Sequence, residues 1–330
     1  MDVSSLAEGV LNGDRRSVAR AISLVEDGAP DLAALSGAIY PRTGNAYTIG
    51  LTGSPGMGKS SLAEQLVRTI RGRDQAVAVL AIDPTSPFTG GALLGDRVRM
   101  QVHATDPGVF IRSMATRGHL GGMALAAPEA IRILDASGKE FVIVETVGVG
   151  QAEVEVAGAA DTTLVVVAPG WGDAVQVAKA GIMEVADVFV VNKADREGAG
   201  DAVRDLKNML AIGPKMEWRP PIVKTSTVTG EGIDELWSTI EKHRAHLEST
   251  GTLERKRTKR IMDEVKDMAA FRLRDRIAAE LTEGAESFLL DDLTSRRMDP
   301  YRATEILLER VAGQGPDMMS AGKESAGTTR

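Results

Sequence analysis

Residues 47–70 read YTIGLTGSPGMGKSSLAEQLVRTI. A short apolar, β-branched run from Tyr47 to Thr52 gives way to a glycine-rich turn, and then to apolar residues at helical spacing, Leu62, Leu66 and Ile70. Inside that order Gly53 to Ser60 satisfies G-x-x-x-x-G-K-[ST], in the strand-then-helix context the motif requires. Gly56 and Gly58 permit backbone angles that fold the loop through Gly53, Pro55, Gly56, Met57 and Gly58 around phosphate oxygens with its N–H groups turned inward. The helix opening at Lys59, Ser60 and Ser61 aims its positive end at the same point, with Lys59 reaching the β and γ oxygens and Ser60 offering a hydroxyl to Mg2+. The stretch predicts an α/β fold and a bound nucleoside triphosphate.

Outward from this unit, six further apolar runs alternate with helix-length segments: AVAVLAI, VFIRSM, EFVIVET, TTLVVVA, DVFVVN and PIVKTS. Runs such as FVIVET do not alternate with polar residues, so both faces of the strand are expected to be covered. Seven strands with helical crossovers predict a mostly parallel central sheet flanked by helices. Before it, Val3, Leu6, Val10, Val18, Ile22 and Val25 carry helical spacing up to the breakers Pro41 and Gly44, giving an N-terminal helical extension over residues 1–44. The nucleotide-binding domain is read as 45–248. A helical segment, 249–330, follows; one long charged helix is read from Ile240 to Leu281, across that boundary, then a further pair around Leu289 and Ile306 and a small, polar, disordered tail from Gly313.

Composition narrows the function. Lys and Arg number 39 against 46 Asp and Glu, a net charge of −7, which argues against a nucleic-acid scaffold. Between Arg255 and Arg276 basic residues crowd an amphipathic stripe, but acids are mixed through it, so it reads as a packing or dimer surface. Zero cysteines exclude thiol nucleophiles, disulfides and thiolate metal sites. No apolar stretch reaches the roughly 18 residues of a membrane span, and the N-terminus lacks the order of a targeting signal. The chain is expected to be cytoplasmic, with no membrane and no nucleic acid among its partners.

A phosphate loop does not choose the base. Asn192 to Asp195, NKAD, follows DVFVV and so falls at the carboxyl end of a strand, where α/β ligand sites form. Asp195 can accept from guanine N1 and the exocyclic amine, Asn192 bonds the N7 side, and the Lys193 stem covers the ring. Adenine would leave the carboxylate without donors, so GTP and GDP are the expected ligands. Downstream, TSTVTGEGIDEL supplies a last guanine loop, with a backbone N–H from Ser226, Thr227 or Val228 facing O6. For the metal, Asp83 closes the second strand, Asp96 ends the loop after it, and Glu145 stands in ETVG, where Gly148 can give an N–H to the γ-phosphate. With Ser60 these three carboxylates form the oxygen set a hard cation takes. Asp96 alternatively caps the RVRM helix. Gln151, Asp83 or Glu145 would orient the attacking water, and an arginine finger would come from Arg97, Arg99, Arg112 or a partner. His243 and His246, the only close histidine pair, are read as solvated.

The phosphate loop, Asp83-Pro-Thr-Ser-Pro, Gly95-Asp96-Arg97, Glu145-Thr-Val-Gly-Val-Gly-Gln151 and Asn192-Lys-Ala-Asp195 together resemble the MeaB (ArgK) family, the methylmalonyl-CoA mutase-associated GTPases. The resemblance covers nearly the whole chain. It implies a P-loop GTPase core, homodimerisation through the C-terminal arm, and a GTP-dependent chaperone that protects adenosylcobalamin-dependent methylmalonyl-CoA mutase and gates cobalamin delivery from cobalamin adenosyltransferase. No Ras-type glutamine stands at the usual place, since Val149 and Gly150 follow Gly148, so basal hydrolysis is expected to be slow and to be accelerated by the mutase. The family's mobile segments map onto Pro84 to Met100, Glu145 to Glu153 and Pro169 to Gly181. In the last, Trp171 lies between two glycines ahead of Asp173, Gln176 and Lys179, an arrangement suited to reporting nucleotide state to a partner; the alternative is a Trp that packs over the sheet end. Ser226-Thr227 departs from the usual Ser-Ala but keeps the backbone contact. Competing readings are a P-loop kinase or ATPase acting on a small molecule or transport component, a nickel-insertion GTPase, and a non-catalytic scaffold.

Overall fold

The computed structural model describes residues 2–83, 103, 105–115, 123–146, 158–170, 185–213, 216–281 and 286–313. Seven strands form one sheet: β1 Tyr47–Thr52, β2 Val77–Asp83, β3 Val109–Ala115, β4 Phe141–Thr146, β5 Thr162–Val167, β6 Val188–Val191 and β7 Ile222–Lys224. Their order is β3-β2-β4-β1-β5-β6-β7, and every neighbouring pair is parallel. All seven apolar runs are strands, as the sequence predicts.

The helices are α1 Val3–Leu11, α2 Arg15–Glu26, α3 Leu32–Ile39, α4 Lys59–Arg71, α5 Met123–Ala136, α6 Ala199–Ile212, α7 Ile233–Ser249, α8 Thr252–Glu280, α9 Glu286–Thr294 and α10 Pro300–Gly313. Aspartates start the first two: Asp2 accepts from the Ser5 N–H at 2.7 Å and Asp14 from the Ser17 N–H at 2.8 Å, satisfying amides the helix leaves open. On one face of the sheet Leu80, Ile82, Val142 and Val144 pack with α1, α2, α3 and α5. On the other, Ile49, Leu51 and Ile143 pack with Leu62, Leu66 and Ile70 of α4 and with Leu236, Trp237 and Ile240 of α7. Both faces are covered, which is why the central strands carry no alternating pattern.

The single helix expected from Ile240 to Leu281 is two. Gly251 takes φ 65° between α7 and α8, a left-handed position that ends a helix cheaply only as glycine. The basic stretch that follows turns inward. Asp161, 1% exposed, takes Nη2 of Arg257 at 2.6 Å, a guanidinium nitrogen of Arg260, and the Thr48 N–H at 3.1 Å. Burial pushes its carboxyl up, but the two guanidinium groups outweigh that and hold it below the usual carboxylate range. Arg132 of α5 adds a second clamp, pairing with Glu264.

The chain divides into two compact units, Met1–Glu264 and Val265–Arg330. In the second, Leu289, Ala303 and Val311 are buried and Arg310 lies 3.7 Å from Glu280. The tail beyond Gly313 lies outside the described residues. Among the described residues no helix is long and apolar enough to cross a membrane.

Candidate nucleotide-binding site

The carboxyl ends of β1, β4 and β6 bring the motifs together. Gly53 follows β1 with φ 132°, and a Cβ there would stand 2.2 Å from the Val166 carbonyl of β5, so only glycine lets the loop leave the sheet so closely. Gly58 caps α4 at φ 90°, where a Cβ would meet the Asn192 side-chain nitrogen at 2.4 Å. The phosphate loop and the NKAD loop are therefore in direct contact. Asn192, fully buried, donates Nδ2 to the Met57 carbonyl at 2.9 Å and accepts from the Thr225 hydroxyl at 3.2 Å. Lys193, at φ 57°, reaches back to the Gly56 carbonyl at 2.6 Å. Pro55 and Gly56 are exposed, while Ser61 is half-buried in the first turn of α4.

Asp195 is exposed, and the buried Ser226 hydroxyl donates to its Oδ1 at 2.6 Å. That hydrogen bond is the main reason its carboxyl is held below the usual range, so an anionic acceptor stands ready for a ligand's donors. In the last loop the Ser226 N–H is committed to the Glu231 carbonyl at 2.9 Å, which leaves Thr227 and Val228 as the candidate O6 donors. Lys59 is 6% exposed, and its ammonium donates to the Gly53 carbonyl at 2.5 Å and to Ser54 at 3.2 Å.

On the metal side, Ser60 Oγ donates to Glu145 Oε1 at 2.6 Å, and Glu145 is 2% exposed at the end of β4. A hydroxyl and a carboxylate side by side at the start of the phosphate-binding helix are hard oxygen ligands, so these residues fit magnesium. Asp83 ends β2, one strand over. Asp96, Gly148, Gln151, Arg97, Arg99, Trp171, Asp173, Gln176 and Lys179 lie outside the described residues.

Two expectations need correction. Arg112 stands in the middle of edge strand β3, opposite Leu80, and its guanidinium is held by Glu26 at 2.5 Å and Ser23 at 2.9 Å, an anchor for α2 rather than a finger at the strand ends. His243 is 1% exposed, not solvated. Its Nδ1 bonds the Thr162 hydroxyl at 2.8 Å, which in turn bonds Tyr47 Oη at 2.6 Å, while Nε2 lies 3.4 Å from Asp187 and Trp218 packs on the ring. Burial pushes the imidazole down to about 4. The group sits at the amino ends of β1 and β5, the pole opposite the phosphate loop. Sequence reasoning also missed Gln65, and the role of the Thr225 side chain within the last guanine loop; these side chains hold the base-reading loops. Gln65 belongs to no motif, and only the folded backbone brings these side chains into reach of their partners.

An all-parallel sheet with a phosphate loop after β1 and NKAD after β6 defines the P-loop GTPase class. Comparison with known proteins agrees. Residues 18–282 match the family described as methylmalonyl Co-A mutase-associated GTPase MeaB, and the chain belongs to that family. It is 48% identical over 317 residues to a putative GTPase of Pyrococcus abyssi, covering 95% of this chain and 98% of that one. It is 39% identical over 266 residues to the GTPase ArgK of Escherichia coli (77% and 80%), and 32% identical over 338 residues to the methylmalonic aciduria type A homolog, mitochondrial, of Caenorhabditis elegans (94% and 84%). A crystal structure named LAO/AO transport system kinase superposes with a TM-score of 0.70 at 28% identity, covering 94% of this chain and 97% of that one.

Proposed function

We propose that this chain binds and slowly hydrolyses GTP as a chaperone of adenosylcobalamin-dependent methylmalonyl-CoA mutase, protecting the mutase and gating cobalamin delivery. The observation that carries the nucleotide choice is the Asp195 carboxylate, oriented by Ser226 beside a loop whose Asn192 is bonded to Met57. Such a carboxylate complements the N1–H and 2-amino group of guanine and has no partner on adenine. Gly53 to Ser61 would receive the phosphates, with Asn192, Lys193, Asp195 and the Ser226-Thr227-Val228 loop around the base.

Magnesium would be held by Ser60, Glu145, Asp83 and Asp96, directly or through water, and when bound it neutralises charge on the β and γ oxygens. Water attacks the γ-phosphorus in line, the bond to the bridging oxygen breaks, and GDP and phosphate leave. The Lys59 ammonium, now shared by two carbonyls, would turn to the γ oxygens and stabilise the charge that develops. Asp83, Glu145 or Gln151 would orient the water, and the Gly148 N–H would meet the γ-phosphate. Trp171, Asp173, Gln176 and Lys179 would carry the nucleotide state to the partner. Residues 249–330 are proposed as a homodimerisation arm, with cobalamin adenosyltransferase as a further partner and the cytoplasm as the setting.

The family description and the name of the Caenorhabditis elegans relative support the mutase as partner. A kinase reading draws on the name of the structural neighbour alone, and the Asp195 site argues for guanine instead. The test is GTP turnover with and without purified mutase, alongside capture of the mutase in the GDP, GTP-analogue and nucleotide-free states. Turnover is expected to rise with mutase and capture to depend on nucleotide; equal turnover and equal capture would overturn the reading.

A further inference from the structure

Gln65 lies on α4 six residues beyond Lys59, about 9 Å along the helix axis at 1.5 Å per residue. Its side-chain amide donates to the Thr227 carbonyl at 3.1 Å. That carbonyl belongs to the loop assigned to the 6-keto oxygen of guanine. A trans peptide is planar, with its C=O and N–H pointing in opposite directions. Turning the Thr227 carbonyl toward α4 therefore turns the Val228 N–H away from it. On the preceding peptide, the Gly230 N–H donates to the Ser226 carbonyl at 2.8 Å, which fixes the direction of the Thr227 N–H in the same way. Packing does little here, since Val228 is 86% exposed. Hydrogen bonds to the two carbonyls aim the amides, and one of those bonds comes from the phosphate-binding helix.

We propose that Gln65 is a positioning residue for guanine recognition: by holding the Thr227 carbonyl it aims the Val228 N–H at O6 and ties the base loop to the phosphate anchors. The proposal rests on the guanine reading above and deepens it. Lys59 and Gln65 share one continuous helix, so the phosphate loop and the base loop are set by the same rigid element.

The test is binding of GDP and of 6-thio-GDP, which keeps N1–H and the 2-amino group but replaces O6 with sulfur, a weak acceptor. Gln65→Met removes the donor at similar size; Gln65→Lys keeps one at similar reach. The Met variant is expected to weaken GDP binding about tenfold, the scale of one hydrogen bond, and 6-thio-GDP by less than about threefold. The Lys variant is expected to recover most of the GDP affinity. Gln65→Glu, which sets a carboxylate against the carbonyl, carries the same expectation as Met should the Met variant not fold. Equal losses for both nucleotides, or no loss for GDP, would overturn the role of Gln65 while leaving the guanine reading intact if wild type still prefers GDP to ADP. A wild type without that preference would sink both together.

Discussion

Replacing Asp161 by alanine removes the carboxylate that pairs Arg257 and Arg260 at the start of α8 with the amino ends of β1 and β5. It strands Arg257 and Arg260, each with 27% of its side chain exposed, and frees the Thr48 N–H. Breaking a buried ion pair from one side costs about 3–5 kcal/mol because a charge is left without its partner, and the lost amide bond adds about 1 kcal/mol. Water at the part-exposed guanidinium groups recovers some of this, and Arg257 keeps the Gly44 and Ala46 carbonyls at 2.7 and 2.8 Å. A net loss of about 3 kcal/mol follows, or about 6–12 °C in Tm at 2–4 °C per kcal/mol for a domain of this size. Differential scanning calorimetry reads it directly. In an Arg257→Met, Arg260→Met background the same Asp161→Ala change should cost no more than about 1 kcal/mol, because the charges it would strand are gone. A loss near 3 kcal/mol in both backgrounds, or a Tm change under about 2 °C in the wild-type background, would refute the clamp.

His243 makes stability depend on pH with a definite sign. Its folded-state value is pushed down to about 4 from 6.5, so below pH 6.5 the unfolded chain takes the proton first and stability falls as the pH drops toward 4. The full effect is at most about 3 kcal/mol at 1.36 kcal/mol per unit. Melting curves from pH 7.5 to 4.5 should show a shallower fall for His243→Asn than for wild type; identical slopes would remove the imidazole as the cause. Gly58→Ala places a methyl where Asn192 Nδ2 stands, 2.4 Å away, in a left-handed position that costs alanine about 1 kcal/mol. Calorimetric titration should find GDP bound at least about tenfold more weakly, and affinity within twofold of wild type would show that the two loops do not press on each other.

The sheet was legible because its strands are covered on both faces: FVIVET and TTLVVV are continuous apolar runs, and each becomes a fully buried strand. The phosphate loop and NKAD were legible because both carry their chemistry in consecutive residues. What stayed hidden depends on contacts across the chain. Nothing local marks Ser226 as the partner of Asp195 or Gln65 as the partner of Thr227. The charged look of α7 concealed His243, whose burial is set by Thr162 and Trp218 from distant segments. The break at Gly251 was masked by helical spacing on both sides, although a glycine between two helix-forming runs is the signal that finds it. The basic run of α8 read as a packing or dimer surface, but nothing local named Asp161, nearly a hundred residues earlier, as the partner of Arg257.

Guanine recognition by Asp195 is the claim on which the functional account turns. Asp195→Asn replaces an acceptor by an amide that complements the 2-keto edge of xanthine. Titration of wild type and variant with GDP and xanthosine diphosphate tests it most directly: the account predicts that the variant loses at least about a hundredfold in GDP affinity and gains xanthosine diphosphate. A variant that still prefers GDP would contradict it.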